Sequence, residues 1–144
     1  MKTVFARRIR WLVVPMLASL ALGGCGGGGG DDATGPAEVA GVYDLVSVNG
    51  RTLPAVAIEI EGYRLELLSS ELTLQAGGTY SETTQLRETE DGTTTDSPFS
   101  TTGTYAVSGS RITLTDEDGD SVTGTVSGDR ITLAEQGVTL VYER

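Results

Sequence analysis

Cys25 is the only cysteine in the chain. A lone thiol cannot close an internal disulfide, and an exported protein rarely keeps an idle one. Few other reactive groups accompany it. Beyond Cys25 there is no His, Lys or Trp. That removes an imidazole base, a Schiff-base lysine and any Cys/His metal site. Carboxylates remain. Asp116-Glu117-Asp118-Gly119-Asp120 has the density of oxygen ligands that a hard cation requires. A calcium loop of the EF-hand kind begun at Asp116 needs Gly at its sixth position and Glu at its twelfth; the chain places Ser121 and Ser127 there. An acidic hairpin turn, with Asp-Gly supplying a positive φ, accounts for the segment better. Glu59, Glu61, Glu66 and Glu71 offer the paired carboxylates of glycoside hydrolysis. Glu59 and Glu61 share one face of a strand-like pattern, with no apolar pocket evident to raise either pKa. The inventory predicts a chain that is not an enzyme, with no catalytic residue, metal or cofactor.

The residues ahead of Cys25 explain its position. Lys2, Arg7, Arg8 and Arg10 are followed by Trp11 to Leu22, apolar apart from Ser19. A basic start and then roughly 7–15 apolar residues form a secretory signal, shorter than a comfortable membrane span. Leu22-Gly23-Gly24-Cys25 resembles the bacterial lipobox. The resemblance implies diacylglycerol on the Cys25 thiol, cleavage before it, and an acyl group such as palmitate on the new amine. Two or more acyl chains anchor a protein stably where one holds it only marginally. Gly26 to Gly30, extended by Asp31, Asp32, Gly35 and Pro36, read as a flexible tether. Gly26, not Asp, follows the cysteine, which by the same resemblance implies the outer membrane. The expected organisation is a signal peptide over 1–24, the lipidated Cys25 and linker over 25–38, and one domain over 39–144. The expected location is the cell envelope, with the membrane contacted through the lipid.

All 20 acidic residues follow Cys25, with only six of the ten basic ones, so the part after the leader carries a formal charge of −14. Such a surface repels nucleic acid and anionic head groups. It favours solubility and cationic partners, although most of these acids read as solvated strand faces and turns.

Period-two alternation dominates from about residue 40 onward. Gly41 to Val48 reads as a first strand stopped by Asn49-Gly50. Ala55 to Ile60, Tyr63 to Leu67 and Leu72 to Leu74 follow, and Ala55–Leu68 is the only window in which a helix could hide. Thr79 to Glu88 is a long polar strand with Tyr80 and Leu86 on one face. Glu90-Asp91-Gly92 starts a loop from which Phe99 to Val107 returns. Four further short strands end the chain. Val107–Thr115 nearly repeats as Val126–Ala134, which fits consecutive hairpins of an antiparallel meander. The pattern predicts an all-β fold: a small antiparallel up-and-down barrel or half-barrel of about eight or nine strands, each about five to seven residues long. Closure would remove the exposed edges of an open sheet.

Gly41-Val42-Tyr43, Ser47 to Pro54, Gly103-Thr104-Tyr105 and the two Val-Ser-Gly-x-Arg-Ile-Thr-Leu segments resemble small bacterial lipoproteins with a lipocalin-like domain. Tyr43 stands where lipocalins place Trp. The resemblance implies a calycin-type barrel over roughly residues 39–144 and a small ligand without catalysis. Tyr43, Tyr80, Phe99, Tyr105 and Tyr142 sit on different strands and are the candidate ligand-binding residues: apolar bodies with, for the tyrosines, polar tips. They could equally plug the interior, as small barrels are often filled by their own side chains. Two functions follow. One is an envelope lipoprotein that binds a small apolar or amphipathic ligand in a shallow barrel. The other is a non-catalytic structural or interaction module with a filled barrel and an acidic surface. The residues name no protein partner.

Overall fold

A computed structural model describes residues 35–135 and 137–144. Ten strands form one antiparallel sheet, preceded by a single-turn helix. The helix is α1 (Pro36–Val39). The strands are β1 (Gly41–Val48), β2 (Arg51–Thr52), β3 (Ala55–Ile60), β4 (Tyr63–Leu74), β5 (Thr79–Glu90), β6 (Thr93–Ser108), β7 (Arg111–Asp116), β8 (Ser121–Ser127), β9 (Arg130–Glu135) and β10 (Val138–Glu143). Strands β4 to β10 pair with their neighbours in order, β10 pairs with β1, and β1 returns to pair with β4. Eight strands therefore close on themselves, and the half-barrel alternative falls away. Ala55–Leu68 is strand and turn throughout, not helix.

The closure has a seam. Gly41–Asp44 of β1 pair with Leu74–Glu71 of β4. Farther along, Ser47 and Val48 pair with β2 instead. The freed half of β4 is taken up by β3, from Ala55↔Leu67 to Ile60↔Tyr63. β2 and β3, separated by Pro54, thus flank the place where β1 and β4 diverge. The register slips at Val46, Ala57 and Leu68. Each slip is a bulge, which bends its strand and re-aims the side chains beyond it.

Strand lengths depart from the sequence expectation. β4, β5 and β6 run 12, 12 and 16 residues. The loop expected after Glu90 is a two-residue turn, because Asp91 and Gly92 both take positive φ, 48° and 82°. That backbone matches the twist of a tight hairpin and lets pairing start at once, at Glu90↔Thr93. The β-branched run that follows suits the pleat. The strands overshoot the barrel, so Thr93 to Ser100 are all exposed.

Alternation sets the core. Tyr43, Leu72, Ile112, Ile131 and Tyr142 are fully buried and pack in one cluster with Val39, Leu45, Leu74, Tyr80, Tyr105, Leu114 and Leu133. Burying each such side chain contributes on the order of 1.5–3 kcal/mol. The near-repeat is structural as well: Ile112 and Ile131 are equivalent, as are Leu114 and Leu133, and all four are buried. Gly103 lies under Tyr80, opposite it in the β5–β6 ladder. A Cβ there would stand 2.1 Å from Thr115 O and 2.8 Å from Tyr80 Cε1, so only glycine admits this packing.

One barrel end is shut. The helix α1, in the stretch expected as the end of the linker, puts Val39 into the core. The Tyr43 hydroxyl donates to Val39 O at 2.8 Å. The Tyr105 hydroxyl lies 2.8 Å from Pro36 O and 2.7 Å from Gln75 O and shares its proton between them. Arg144 donates to Ala40 O at 3.0 Å from the same side.

Candidate functional site

The opposite end, where β4, β5 and β6 overshoot, carries the candidate site. Register places its residues in rungs across the sheet. Deepest are Leu74–Tyr80–Gly103 and then Leu72–Glu82–Thr101. Next is Ser70–Thr84–Phe99, followed by Leu67–Leu86–Ser97 with Ala55 at its end. Outermost are Ile58–Leu65–Glu88–Thr95 and Ile60–Tyr63–Glu90–Thr93. The face that lines the barrel thus continues past its rim as an open shelf.

At the throat a polar group is built into apolar surroundings. Glu82 is half-buried. Its Oε1 accepts from the Tyr142 hydroxyl at 2.6 Å and the Ser70 hydroxyl at 2.7 Å. Ser70 has one proton and gives it to Glu82, so in the 2.8 Å contact between Ser70 and Thr84 the threonine donates. Ser70 and Thr84 are both buried, and no described buried side-chain polar atom is left without a partner. Burial first, then the Glu82 charge, raises the Tyr142 pKa strongly. Burial, then Asp116 and Glu82, pushes Tyr80 up to about 12. The Tyr142 phenol is therefore a neutral donor to Glu82, and among the described residues no cation pairs with that carboxylate.

The shelf above is apolar and acidic together. Ile60 is 66% exposed, Phe99 59% and Ile58 38%, against a core in which comparable side chains are under 9%. Glu88 and Glu90 stand on the same face. Arg64 and Arg87 point the other way. Arg64 pairs with Glu59 and Glu66, and Arg87 makes a two-pronged contact with Asp96. Burial and the Glu88 carboxylate raise the Tyr63 pKa. Across the mouth, Arg51 on β2 is opposite Val48 and exposed.

The residues singled out from sequence separate into two groups. Tyr43, Tyr80, Tyr105 and Tyr142 lie in the packed core; Phe99 stands outside it on the shelf. Phe99 stands on the exposed shelf, Tyr142 is fully buried with its hydroxyl on Glu82, and Tyr43 and Tyr105 secure the closed end. Glu82, Ser70, Thr84, Ile58 and Ile60 were not anticipated as site residues. Parity had placed Tyr80 and Leu86 on one face, which already included Glu82. Nothing local revealed how deep in the barrel that face would sit. Asp116–Asp120 is a turn: Asp116 Oδ1 accepts from the Asp118 and Asp120 amides at 3.0 and 2.9 Å. Among the described residues no three His, Cys, Asp or Glu are placed to hold a metal. Glu59 and Glu61 are exposed on β3 and in the turn after it. Cys25, with the leader and most of the linker, lies outside the described residues.

A hollow of about 150 Å³ sits at the closed end, between Ser127, Asp129, Arg130, Glu143 and Arg144. Its arginines are already paired, Arg130 with Glu143 and Arg144 with Asp129, so it presents no free charge. Among the described residues no helix is long and apolar enough to cross a membrane.

Residues 39–139 match the family model described as a lipocalin-like domain. No curated protein matches the chain. The match spans most of the chain and coincides with the closed eight-strand barrel: the chain belongs to the lipocalin-like domain family.

Proposed function

We propose that the protein is a lipid-anchored component of the bacterial cell envelope, attached to the outer membrane through Cys25, whose barrel mouth binds one small apolar or amphipathic molecule without catalysis. The carrying observation is the shelf. Ile58 and Ile60, neighbours on one face of β3, and Phe99, farther along the same sheet face on β6, leave apolar surface exposed where the interior face of the barrel emerges, and exposed apolar surface supports a binding role. The family is one of small-ligand barrels in general. The deep interior is occupied by Tyr43, Leu72, Ile112, Ile131 and Tyr142, so the ligand lies across the mouth and does not enter the centre.

Titrating the full chain with the neutral dye Nile red tests this. Saturation near one dye per chain is expected, with affinity reduced by Ile60→Ser and by Phe99→Ser. A flat titration favours the second reading, a structural or interaction module with a filled barrel and an acidic surface. The fully buried centre is the observation on its side.

A further inference from the structure

We propose that the barrel stands on its closed end against the leaflet that holds its lipid, kept upright by repulsion between anionic head groups and the acidic turns of the opposite end. This rests on the anchoring reading above. It adds the direction in which the shelf faces: away from that leaflet, toward the aqueous compartment.

Charge is divided unequally between the two barrel ends. The closed end comprises α1, the 75–78, 109–110 and 128–129 turns, and Arg144. With the strand residues that flank those turns, it carries Glu38, Asp129 and Glu143 against Arg111, Arg130 and Arg144. Two of these arginines are paired with two of these acids, and the end is neutral. The opposite end is not. Its 49–50, 61–62, 91–92 and 117–120 turns, counted in the same way, hold Glu61, Glu90, Asp91 and the four acids from Asp116 to Asp120 against Arg51. An anionic surface repels such turns once they come within a Debye length, about 8 Å at physiological ionic strength.

The length of the tether limits the alternatives. Val39 is in the core and Pro36 O accepts from Tyr105, so the chain meets the barrel at the closed end. Nine residues separate Cys25 from Gly35, a reach of at most about 36 Å. Strand β6 alone runs 16 residues, Thr93–Ser108. That is about 50 Å along the strand, or roughly 35–40 Å along the barrel axis at the usual tilt. A barrel turned tip-down would hold its tether at full stretch. One lying on its side would bring acidic turns to the head groups. Standing on the closed end avoids both costs, and it leaves Ile58, Ile60 and Phe99 open to a ligand arriving from water, not from the anchoring leaflet.

The test uses the acylated full chain with a fluorophore at Ser110→Cys, in the closed-end turn, or at Thr93→Cys, at the hairpin tip; both positions are exposed. Vesicles of phosphatidylethanolamine and phosphatidylglycerol carry a nitroxide on a fraction of their head groups. Flotation reads attachment, and quenching reads the nearness of each label to the surface. Quenching about threefold or more stronger at Ser110→Cys than at Thr93→Cys is expected for that difference in height. Added salt should narrow the difference by screening the head groups. Equal quenching, or stronger quenching at Thr93→Cys, overturns the upright orientation while attachment stands. A difference that salt leaves unmoved overturns charge as what holds the barrel up. If the chain does not float with the vesicles, the anchoring reading falls and the orientation falls with it.

Discussion

The Arg144 guanidinium lies 5.3 Å from the centroid of the Tyr43 ring, so the last residue of the chain covers the first aromatic side chain of the barrel. Its Nε donates to Asp129 Oδ1 at 2.7 Å, and its Nη1 reaches Ala40 O. One side chain thus ties β10 to the β8–β9 turn and to the entry of β1.

Arg144→Ala should destabilise the barrel by about 1–2 kcal/mol, the sum of a partly exposed cation–π contact and hydrogen bonds at the closed end. Arg144→Lys should recover part of this, because an ammonium keeps the charge but lacks the planar fork. Thermal denaturation of the three proteins measures the order.

The throat network should be coupled. Tyr142→Phe removes a donor to a charged acceptor, at an expected cost of about 1.5–3 kcal/mol. Glu82→Ala leaves the Tyr142 and Ser70 hydroxyls without their acceptor and should cost at least as much. In a double-mutant cycle by urea denaturation, the double variant should be less damaged than the sum of the singles. Additive losses would show that the contact contributes nothing to folding.

Gly103→Ala should destabilise by about 2 kcal/mol or more, since the added methyl collides with backbone as well as with Tyr80. Gly77→Ala is the control: a Cβ added there would meet nothing within 4 Å, and it should leave stability near that of the parent. Chemical denaturation midpoints distinguish them.

Alkaline pH should unfold the protein through its buried phenols. Tyr80 is pushed up to about 12 and Tyr142 is raised as well, against 10.0 for a free phenol. Below pH 10 both states hold these protons, and the stabilisation is fully present. From about 10 to 12 the unfolded chain releases them first, so stability falls as pH rises through that window. Tyr142→Phe should reduce the protons released on unfolding there by about one. Denaturant titrations across the window, followed by tyrosinate absorbance, provide the count.

Cys25→Ser should move the protein from the membrane fraction to the soluble fraction and remove the mass of the lipid. If both forms sediment with the envelope at the mass of the uncleaved precursor, the anchoring proposal is wrong.

Much of the barrel is legible in the chain itself. Period-two alternation marks Tyr43, Leu45, Ile112, Leu114, Ile131 and Leu133 as one-sided, because strand side chains alternate by geometry alone. Asn49-Gly50 and the repeated Val-Ser-Gly segments mark the turns, because few residues tolerate the backbone they need. These are local properties and survive being read in isolation. What only the tertiary structure decided is non-local. The pairing of Gly41–Asp44 with Glu71–Leu74 closes the barrel, and the bulges at Val46, Ala57 and Leu68 determine which residues face in beyond them. The relative depth of two strands is set by barrel closure and packing, so neither the meeting of Glu82 with Tyr142 nor the exposure of Phe99 could be obtained from alternation. Parity says which side a residue takes; the packed sheet decides what it meets there.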